Sequence, residues 1–212
     1  TGVFLKTEEI QSHLRGSVQK VVLASPPKDE TIPMFIIGVN EDKLGDEKII
    51  SCASCTTNCL APVVKVMEKN FGIKKAVMCT IHAYTADQEL LDGSHQDLRR
   101  ARSAALNIVP TTTGAAKSVG KIIEGVAGKF DGLAFRVPVP SGSLCDFVFL
   151  AGRPVTKEEI NQAFMAASQA ELKNILGVIN EPIVSADIIA SGLSCIVDIA
   201  LTQVVDGDLV KV

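Results

Sequence analysis

The sequence predicts a two-part fold: the tail of a doubly wound α/β domain, followed by an α+β domain with a largely antiparallel mixed sheet flanked by helices. Two continuous apolar runs in the opening third, residues 21–24 and 34–39, are bounded by Pro, Gly and Asn. Such runs are typical of buried strands, especially parallel ones. Later strand-like segments flank isolated helices, which is the pattern of an α+β domain. We place residues 1–54 in the first part and residues 55–212 in the second.

Two helices are predicted in the first half of the chain. Residues 7–15 predict a short helix before the first apolar run. After Cys55, apolar residues recur at helical spacing as far as Phe71, and Gly72 is a suitable stop. Pro62 lies early in this second helix, where it removes one backbone hydrogen bond.

The remainder of the chain is predicted to be rich in strands. Residues 76–84 predict a strand that carries His82 near its end. The capping box that begins at Thr156 and closes at Glu159 predicts a helix with one apolar face. Further strands are predicted at residues 132–138, 144–151 and 195–201.

Composition excludes several classes of function. With 47% hydrophobic and 21% charged residues, the 212-residue chain resembles an average globular protein. A net charge of −3, no Trp and one Tyr argue against a nucleic-acid binder, which usually presents a basic face with aromatic platforms. No apolar run approaches the ~20 residues of a membrane span. Six cysteines in this composition do not suggest a secreted disulfide scaffold, so we expect a cytoplasmic protein.

Cys55 and His82 are the strongest candidates for a nucleophile and its base. Cys55 lies between small hydroxyl residues at the predicted start of a helix. The helix dipole and the free N–H groups at such a position favour the thiolate, which is the nucleophilic form. Because sequence distance does not show that the two side chains meet, a buried cysteine beside an ordinary histidine is the alternative.

Two further features predict binding of anions. Thr113 and Gly114 precede a predicted helix, and the hydroxyls and free N–H groups at a helix N-terminus bind phosphate readily. A plain Thr N-cap is the alternative. Arg136 stands within an otherwise apolar run, and a buried guanidinium requires an anionic partner. That partner is either a ligand phosphate or one of the internal carboxylates Asp87, Asp146 and Asp198.

Cys52 and Cys55 also match the Cys-x-x-Cys pattern of redox pairs and of half a zinc site. A structural zinc site needs a second ligand pair, and the cysteines beyond residue 59 are scattered singly. Asp92, His95 and Asp97 match no common ligand spacing either. We therefore expect no metal site, and a thiol redox module is kept as an alternative function.

Four segments, in this order, resemble the family of phosphorylating glyceraldehyde-3-phosphate dehydrogenases. The resemblance extends over the whole chain and implies that residues 1–54 are the tail of a Rossmann-like domain. It also implies that the family's Gly-rich phosphate turn, acidic ribose ligand and C-terminal strand and helix lie outside this sequence. The segments are Ser54-Cys55-Thr56-Thr57-Asn58-Cys59, Thr80-Ile81-His82-Ala83-Tyr84-Thr85, Thr113-Gly114-Ala115-Ala116-Lys117 and Arg136-Val137-Pro138.

The resemblance implies a reaction of glycolysis, gluconeogenesis or carbon fixation. Glyceraldehyde 3-phosphate would be oxidised and phosphorylated to 1,3-bisphosphoglycerate, with NAD or NADP as cofactor. Cys55 would carry the thiohemiacetal and thioester, and His82 would act as the base. The alternatives are a related thioester-forming dehydrogenase, such as one for erythrose 4-phosphate or an aspartyl semialdehyde, and a non-catalytic thiol module.

The resemblance also implies which residues bind ligands. Thr85, Asp87 and Arg136 match the site for the substrate phosphate, where Asp87 would orient the arginine. Thr1 and Ser25 match contacts to the cofactor, whose main site lies outside the chain. The residues that match the site for inorganic phosphate are Ser54, Thr56, Arg100, Thr113 and Gly114.

Residues 87–102 resemble the loop that lines a neighbouring subunit's cofactor pocket, which implies a homotetramer. The chain departs from the family pattern at Cys52, where Asn is common, and at residues 141–143 and 190–195. None of these departures removes a proposed catalytic group. Cys52 adds a thiol that could form a disulfide with Cys55.

Overall fold

The computed structural model describes residues 3–212, so the cofactor contact expected at Thr1 lies outside the described residues. The helices are α1 (Thr7–Gln11), α2 (Cys55–Phe71), α3 (Ala115–Ile122) and α4 (Lys157–Gln169). The strands are β1 (Val21–Leu23), β2 (Ile49–Ser51), β3 (Ile73–Ala83), β4 (Val109–Thr112), β5 (Phe130–Val137), β6 (Ser143–Ala151), β7 (Leu176–Ile179), β8 (Cys195–Asp198), β9 (Gln203–Val205) and β10 (Leu209–Lys211).

The opening third of the chain contains a small α/β unit. β1 and β2 pair in parallel, with Val21 opposite Ile49. Ile10 of α1 is buried against Leu23 in a separate small core. The predicted strand at residues 21–24 is confirmed as β1, and the helix predicted over residues 7–15 is present but ends at Gln11.

The prediction of a strand at residues 34–39 is wrong. Met34 forms an isolated bridge with Ser51, and the chain then turns. Asn40 stabilises the turn, because its side chain accepts from the Ile36 N–H at 2.8 Å and donates to the Met34 carbonyl at 3.0 Å. These bonds satisfy backbone groups that a neighbouring strand would otherwise have to satisfy. The run is apolar because Ile36 packs into the main core.

The larger unit contains a mixed, mostly antiparallel sheet with helices against one face, as the sequence predicted. Its strand order is β4-β5-β3-β6-β10-β9, and β3 lies parallel to β5 and antiparallel to β6. Side chains alternate between the two faces of a strand. On β3, Ala76, Met78 and Thr80 are buried on one face, whereas Val77 is exposed on the other.

Helix α2 begins and ends as its sequence predicts. The Ser54 hydroxyl accepts a hydrogen bond from the Thr57 N–H at 3.1 Å, which is a standard N-cap. Gly72 follows the last turn with φ of +68°, a backbone conformation that favours glycine. Leu60 and Val64 are fully buried on the face that packs into the main core.

The order of the elements brings two helix N-termini to one end of the sheet. A single residue, Gly72, separates α2 from β3, so the chain reverses and α2 begins near the carboxyl end of β3. Helix α3 precedes β5 in the same way, with the short helix Glu124–Val126 between them. Because β3 and β5 are parallel, both helices begin at the same edge.

Gly132 lies where β5 packs closely against β3. A Cβ atom there would lie 2.6 Å from the Met78 Cγ and 2.9 Å from the Met78 backbone oxygen. Because the backbone cannot shift without disturbing the β3–β5 register, we expect Gly132→Ala to lower the free energy of unfolding by about 1–3 kcal/mol. Urea denaturation measures this change in the free energy of unfolding. Gly192→Ala is the control, since no atom lies within 4 Å of its Cβ; equal effects would contradict this account.

Candidate active site

Cys55 and His82 line one cavity of about 190 Å³ at the carboxyl ends of β3 and β5. Cys55 is the first residue of α2, and Ala115, which also lines the cavity, is the first residue of α3. The other lining residues are Pro26, Ser54, Thr56, Thr80, Thr112, Thr113, Gly114, Ala134 and Arg136.

This cavity has the electrostatic character of an anion site. A helix N-terminus carries a partial positive charge and free N–H groups, and two of them open onto the same space. Arg136 adds a full positive charge from β5. Among the described residues, 3–212, no carboxylate lines the cavity. The cavity can therefore hold phosphate, or an oxyanion formed during a reaction.

The Cys55 Sγ lies 3.4 Å from the His82 Nε2. This hydrogen bond is the largest contribution that lowers the pKa of Cys55 to about 7. Burial raises the pKa of the thiol, whereas the charge of His82 and hydrogen bonds from the Thr56 hydroxyl and N–H lower it. The hydrogen bond with Cys55 in turn raises the pKa of His82. Near neutral pH the pair can therefore exist as thiolate and imidazolium.

His82 is oriented by its backbone neighbour, and Arg136 lies against the same side of the ring. The His82 Nδ1–H donates to the Ala83 carbonyl at 2.7 Å, which leaves Nε2 directed at Cys55. Arg136 is the register partner of His82 on β5. Its guanidinium contacts Nδ1 and donates to the Ala83 carbonyl at 3.1 Å. The positive charge of Arg136 lowers the pKa of His82 and so opposes the effect of Cys55.

A kink before α2 places Cys55 in the first turn. Ala53 is buried with φ of +55°, in the left-handed region that non-glycine residues rarely adopt. Asn58 holds this turn from inside the helix, because its side-chain amide donates to the carbonyls of Cys52 at 2.7 Å and Ser54 at 2.9 Å. Strained backbone of this kind occurs at sites where surrounding contacts impose it.

The structure brings most of the residues singled out in the sequence to this cavity. Asp87 and Arg100 instead line a neighbouring open depression of about 570 Å³, and Thr112 lines both. Thr85 lines neither, and its N–H donates to Gln88. The expected residues in the Cys55 cavity are Ser54, Cys55, Thr56, His82, Thr113, Gly114 and Arg136.

Ser25, an expected cofactor contact, lies outside both cavities. Its carbonyl accepts a hydrogen bond from the Ser51 hydroxyl at 2.8 Å, so it joins the end of β1 to the end of β2. The next residue, Pro26, is the one that lines the Cys55 cavity.

The direct partner of Asp87 in this structure is Arg100, and a role of Asp87 toward Arg136 stays a prediction. The Asp87 carboxylate pairs with Arg100, whose Nε also donates to the Thr111 hydroxyl at 2.9 Å. His95 lies on the other side of Asp87, with its Nε2 3.6 Å from the carboxylate. The loop that follows β3 folds back so that Arg100 lies beside Asp87, whereas Arg136 lies on β5.

Sequence reasoning missed several lining residues. Thr80 lies two residues before His82 on β3, so strand alternation alone places both on the same face. Ala134 is the register partner of Thr80. For Pro26, nothing in the local sequence indicates that the end of β1 meets the N-terminus of α2.

The cysteines differ in their surroundings, although all six are free. The hydrogen bond with Cys145, and burial, raise the pKa of Cys59, which lies one helical turn after Cys55. Burial raises the pKa of Cys195 to about 12. Cys52 and Cys55 are exposed and not linked to each other. Cys55 thus combines exposure with a lowered pKa, which is the combination that a nucleophile needs.

Two other features of the described residues bear on function. Within residues 3–212, no three His, Cys, Asp or Glu side chains lie close enough together to hold a metal ion. No helix in the same range has the length and apolar character needed to cross a membrane.

Comparison with known proteins identifies similar sequences over the whole chain. The family model "Glyceraldehyde 3-phosphate dehydrogenase, C-terminal domain" matches residues 54–212. The chain is 50% identical over 100% of its length to glyceraldehyde-3-phosphate dehydrogenase 2 of Streptomyces avermitilis, of which it covers 64%.

Two further relatives show the same level of similarity. Glyceraldehyde-3-phosphate dehydrogenase of Mycobacterium avium is 51% identical over 97% of the chain, which covers 61% of that protein. The chloroplastic glyceraldehyde-3-phosphate dehydrogenase A of Zea mays is 50% identical over 100% of the chain, which covers 53% of it. The chain thus spans less than two thirds of each relative.

The Cys55–His82 contact predicts a reactive thiol whose alkylation rate rises with pH through about 7. His82→Ala removes the main cause of the lowered pKa. A return toward the ordinary value of ~8.5 would leave a few per cent thiolate at pH 7, so alkylation by iodoacetamide should slow about tenfold or more. Peptide mass spectrometry measures the rate. His13→Ala, at an exposed position, is the control; an unchanged rate in His82→Ala would contradict the assignment.

Proposed function

The chain belongs to the glyceraldehyde 3-phosphate dehydrogenase family, and on this premise we propose that it carries the catalytic part of an enzyme that oxidises and phosphorylates glyceraldehyde 3-phosphate to 1,3-bisphosphoglycerate. The observation that carries the proposal is the Cys55 thiol, 3.4 Å from the His82 imidazole, in a cavity suited to anions. The relatives compared above all bear the name of this dehydrogenase, which favours it over the erythrose 4-phosphate and aspartyl semialdehyde alternatives.

The first steps follow from the geometry of the pair. The Cys55 thiolate attacks the aldehyde carbon to form a C–S bond, and the carbonyl oxygen takes the proton from His82 to give a thiohemiacetal. The N–H groups at the start of α2 stabilise the oxyanion before that proton arrives. His82 Nε2 then removes the hydroxyl proton as the carbon loses a hydride and becomes a thioester. Inorganic phosphate attacks the thioester, releasing the acyl phosphate and restoring the thiolate.

The proposed anion-binding residues form two groups, one for the phosphate of the aldehyde and one for inorganic phosphate. In this proposal Arg136 binds the phosphate of the aldehyde, Asp87 lies in the neighbouring depression, and Thr85, which lines neither space, remains a proposed contact. Asp87 pairs directly with Arg100, and its charge also acts on Arg136. The proposed ligands of inorganic phosphate are Ser54, Thr56, Arg100, Thr113 and Gly114.

The residues present fit the nicotinamide end of NAD or NADP, and only that end. When bound, the nicotinamide supplies the hydride acceptor. Pro26 lines the cavity beside Cys55, at the carboxyl ends of the parallel strands β1 and β2, where α/β sheets bind ligands. Thr1 and Ser25 remain proposed contacts. No Gly-x-Gly-x-x-Gly turn occurs in the 212 residues, so other residues must hold the cofactor phosphates.

Domain boundaries and cellular location are also part of the proposal. We assign residues 1–54 to the end of a cofactor domain and residues 55–212 to the catalytic domain, since β1 and β2 form a two-stranded sheet separate from the main sheet and contribute to a separate small core. A cytoplasmic location remains part of the proposal. One of the relatives compared is chloroplastic, so a plastid is the alternative.

Assembly into a homotetramer is supported by the open face of the main sheet. Opposite the helices, Val77 is 58% exposed, Leu133 39% and Leu144 54%, on the adjacent strands β3, β5 and β6. Exposed apolar side chains on one face of a sheet are typical of an interaction surface. A second copy of the chain is its proposed occupant.

Arg136→Ala tests recognition of the phosphorylated aldehyde. Glyceraldehyde 3-phosphate adds to Cys55 and should protect it from iodoacetamide. Loss of the guanidinium should raise the half-protecting concentration about tenfold or more, because a charge-assisted hydrogen bond is lost. Unphosphorylated glyceraldehyde should be affected less than about twofold. Arg153→Ala is the control, since Arg153 pairs with Glu159 on the surface. Equal loss for the two aldehydes would refute the role.

The acyl-transfer half of the reaction can be tested without a nicotinamide. Acetyl phosphate should transfer its acetyl group to the Cys55 thiolate, with release of phosphate. Mass spectrometry of the digested chain should place the acetyl group on Cys55. Cys55→Ser should abolish this labelling, whereas Cys59→Ser should retain it, because burial and the hydrogen bond with Cys145 raise the pKa of Cys59. Acetylation of other cysteines in place of Cys55 would contradict the proposal.

A further inference from the structure

Thr80 lines the Cys55 cavity and has a buried hydroxyl without a partner. The residue is 2% exposed, and its Oγ1 forms no hydrogen bond within the described residues. It lies two residues before His82 on β3, so both side chains project from the same face of the sheet. Thr80, His82 and Cys55 all line the same cavity.

The neighbouring strands offer this hydroxyl no strong acceptor. On β5 its register partner is Ala134, which offers a methyl group. On β6 its register partner is Cys145. The hydrogen bond with Cys59 is the main cause that lowers the pKa of Cys145, and the nearby Thr80 contributes in the same direction. A neutral thiol sulfur is a weak acceptor, and within the described residues the Thr80 Oγ1 has no partner at hydrogen-bond distance and angle.

An unpaired buried hydroxyl is destabilising, because it has lost its hydrogen bonds to water and gained none in return. Native proteins keep such groups mainly where a water molecule or a ligand completes them. Thr80 lines a cavity that already has two helix N-termini and Arg136 around it. An acceptor that suits all of these groups at once is an anion with several oxygens.

We propose that the Thr80 Oγ1 donates a hydrogen bond to an oxygen of the phosphate that occupies this cavity, which makes Thr80 a further binding residue. The N-termini of α2 and α3 bind phosphate oxygens from the helix side, and Thr80 binds one from the sheet side. This inference rests on the proposed function in one respect, namely that phosphate enters the cavity.

The proposal predicts that removal of the Thr80 hydroxyl maintains or raises the stability of the fold but lowers its affinity for phosphate. Thr80→Val preserves the shape of the side chain and removes the unpaired hydroxyl. The variant should therefore resist urea as well as the wild type or better, while it binds phosphate more weakly. A purely structural hydroxyl, held by Cys145, would give a less stable variant with unchanged affinity.

Protection of Cys55 by inorganic phosphate provides the measurement. The rate at which iodoacetamide alkylates Cys55 is measured at increasing phosphate concentration and constant ionic strength. Each rate is divided by the rate of the same variant without phosphate. Thr80→Val should raise the half-protecting concentration about tenfold, and Thr80→Ser, which keeps the hydroxyl, by less than about threefold. Thr202→Val is the matched control: Thr202 is equally buried, its Oγ1 is also unpaired, and it lies outside the cavity.

The outcomes separate this inference from the proposed function. If phosphate protects the wild type and Thr80→Val at the same concentration, the role of Thr80 is wrong while the anion cavity stands. If Thr80→Ser weakens protection as much as Thr80→Val does, packing rather than the hydroxyl is responsible and the inference fails. If phosphate does not protect the wild type at all, the anion cavity and the role of Thr80 are both wrong.

Discussion

The hydrogen bond between Cys55 and His82 is the interaction on which the chemistry of this molecule depends. It is the largest cause of the lowered pKa of Cys55, and it acts against burial, which alone would keep the thiol protonated. Both partners are held by rigid elements: Ser54 caps the helix that begins with Cys55, and His82 lies on a strand paired on both sides. A small displacement of either element would return Cys55 to the behaviour of an ordinary thiol.

The topology of the sheet explains why the contact forms at this edge. Each of the parallel strands β3 and β5 is preceded by a helix, and each chain reversal brings a helix N-terminus to the strand's carboxyl end. The two partial positive charges therefore add in one cavity, and Arg136 reinforces them. Phosphate, a thiolate and a developing oxyanion all benefit from the same arrangement. One geometric constraint thus supports nucleophile activation and anion binding together.

Burial distinguishes the reactive thiol from its neighbours. Cys59 follows Cys55 by one helical turn, yet its pKa is raised, because it meets Cys145 and the interior instead of His82 and the cavity. Cys195, deeper still, has a pKa of about 12. The same contrast applies to hydroxyls, since the Ser54 side chain is used as a helix cap whereas Thr80 is left unpaired beside the cavity.

Local patterns in the sequence were sufficient for the main elements, and they singled out Cys55 and His82 without showing that the two side chains meet. Helical spacing after Cys55, the stop at Gly72 and the strand that ends near His82 all follow from interactions between residues close in the chain. Packing in three dimensions alone decided that Asp87 pairs with Arg100 and that Thr80 has no partner among the described residues. These outcomes depend on loop paths and strand register. Both are set by contacts between residues far apart in the chain, which a local pattern does not encode.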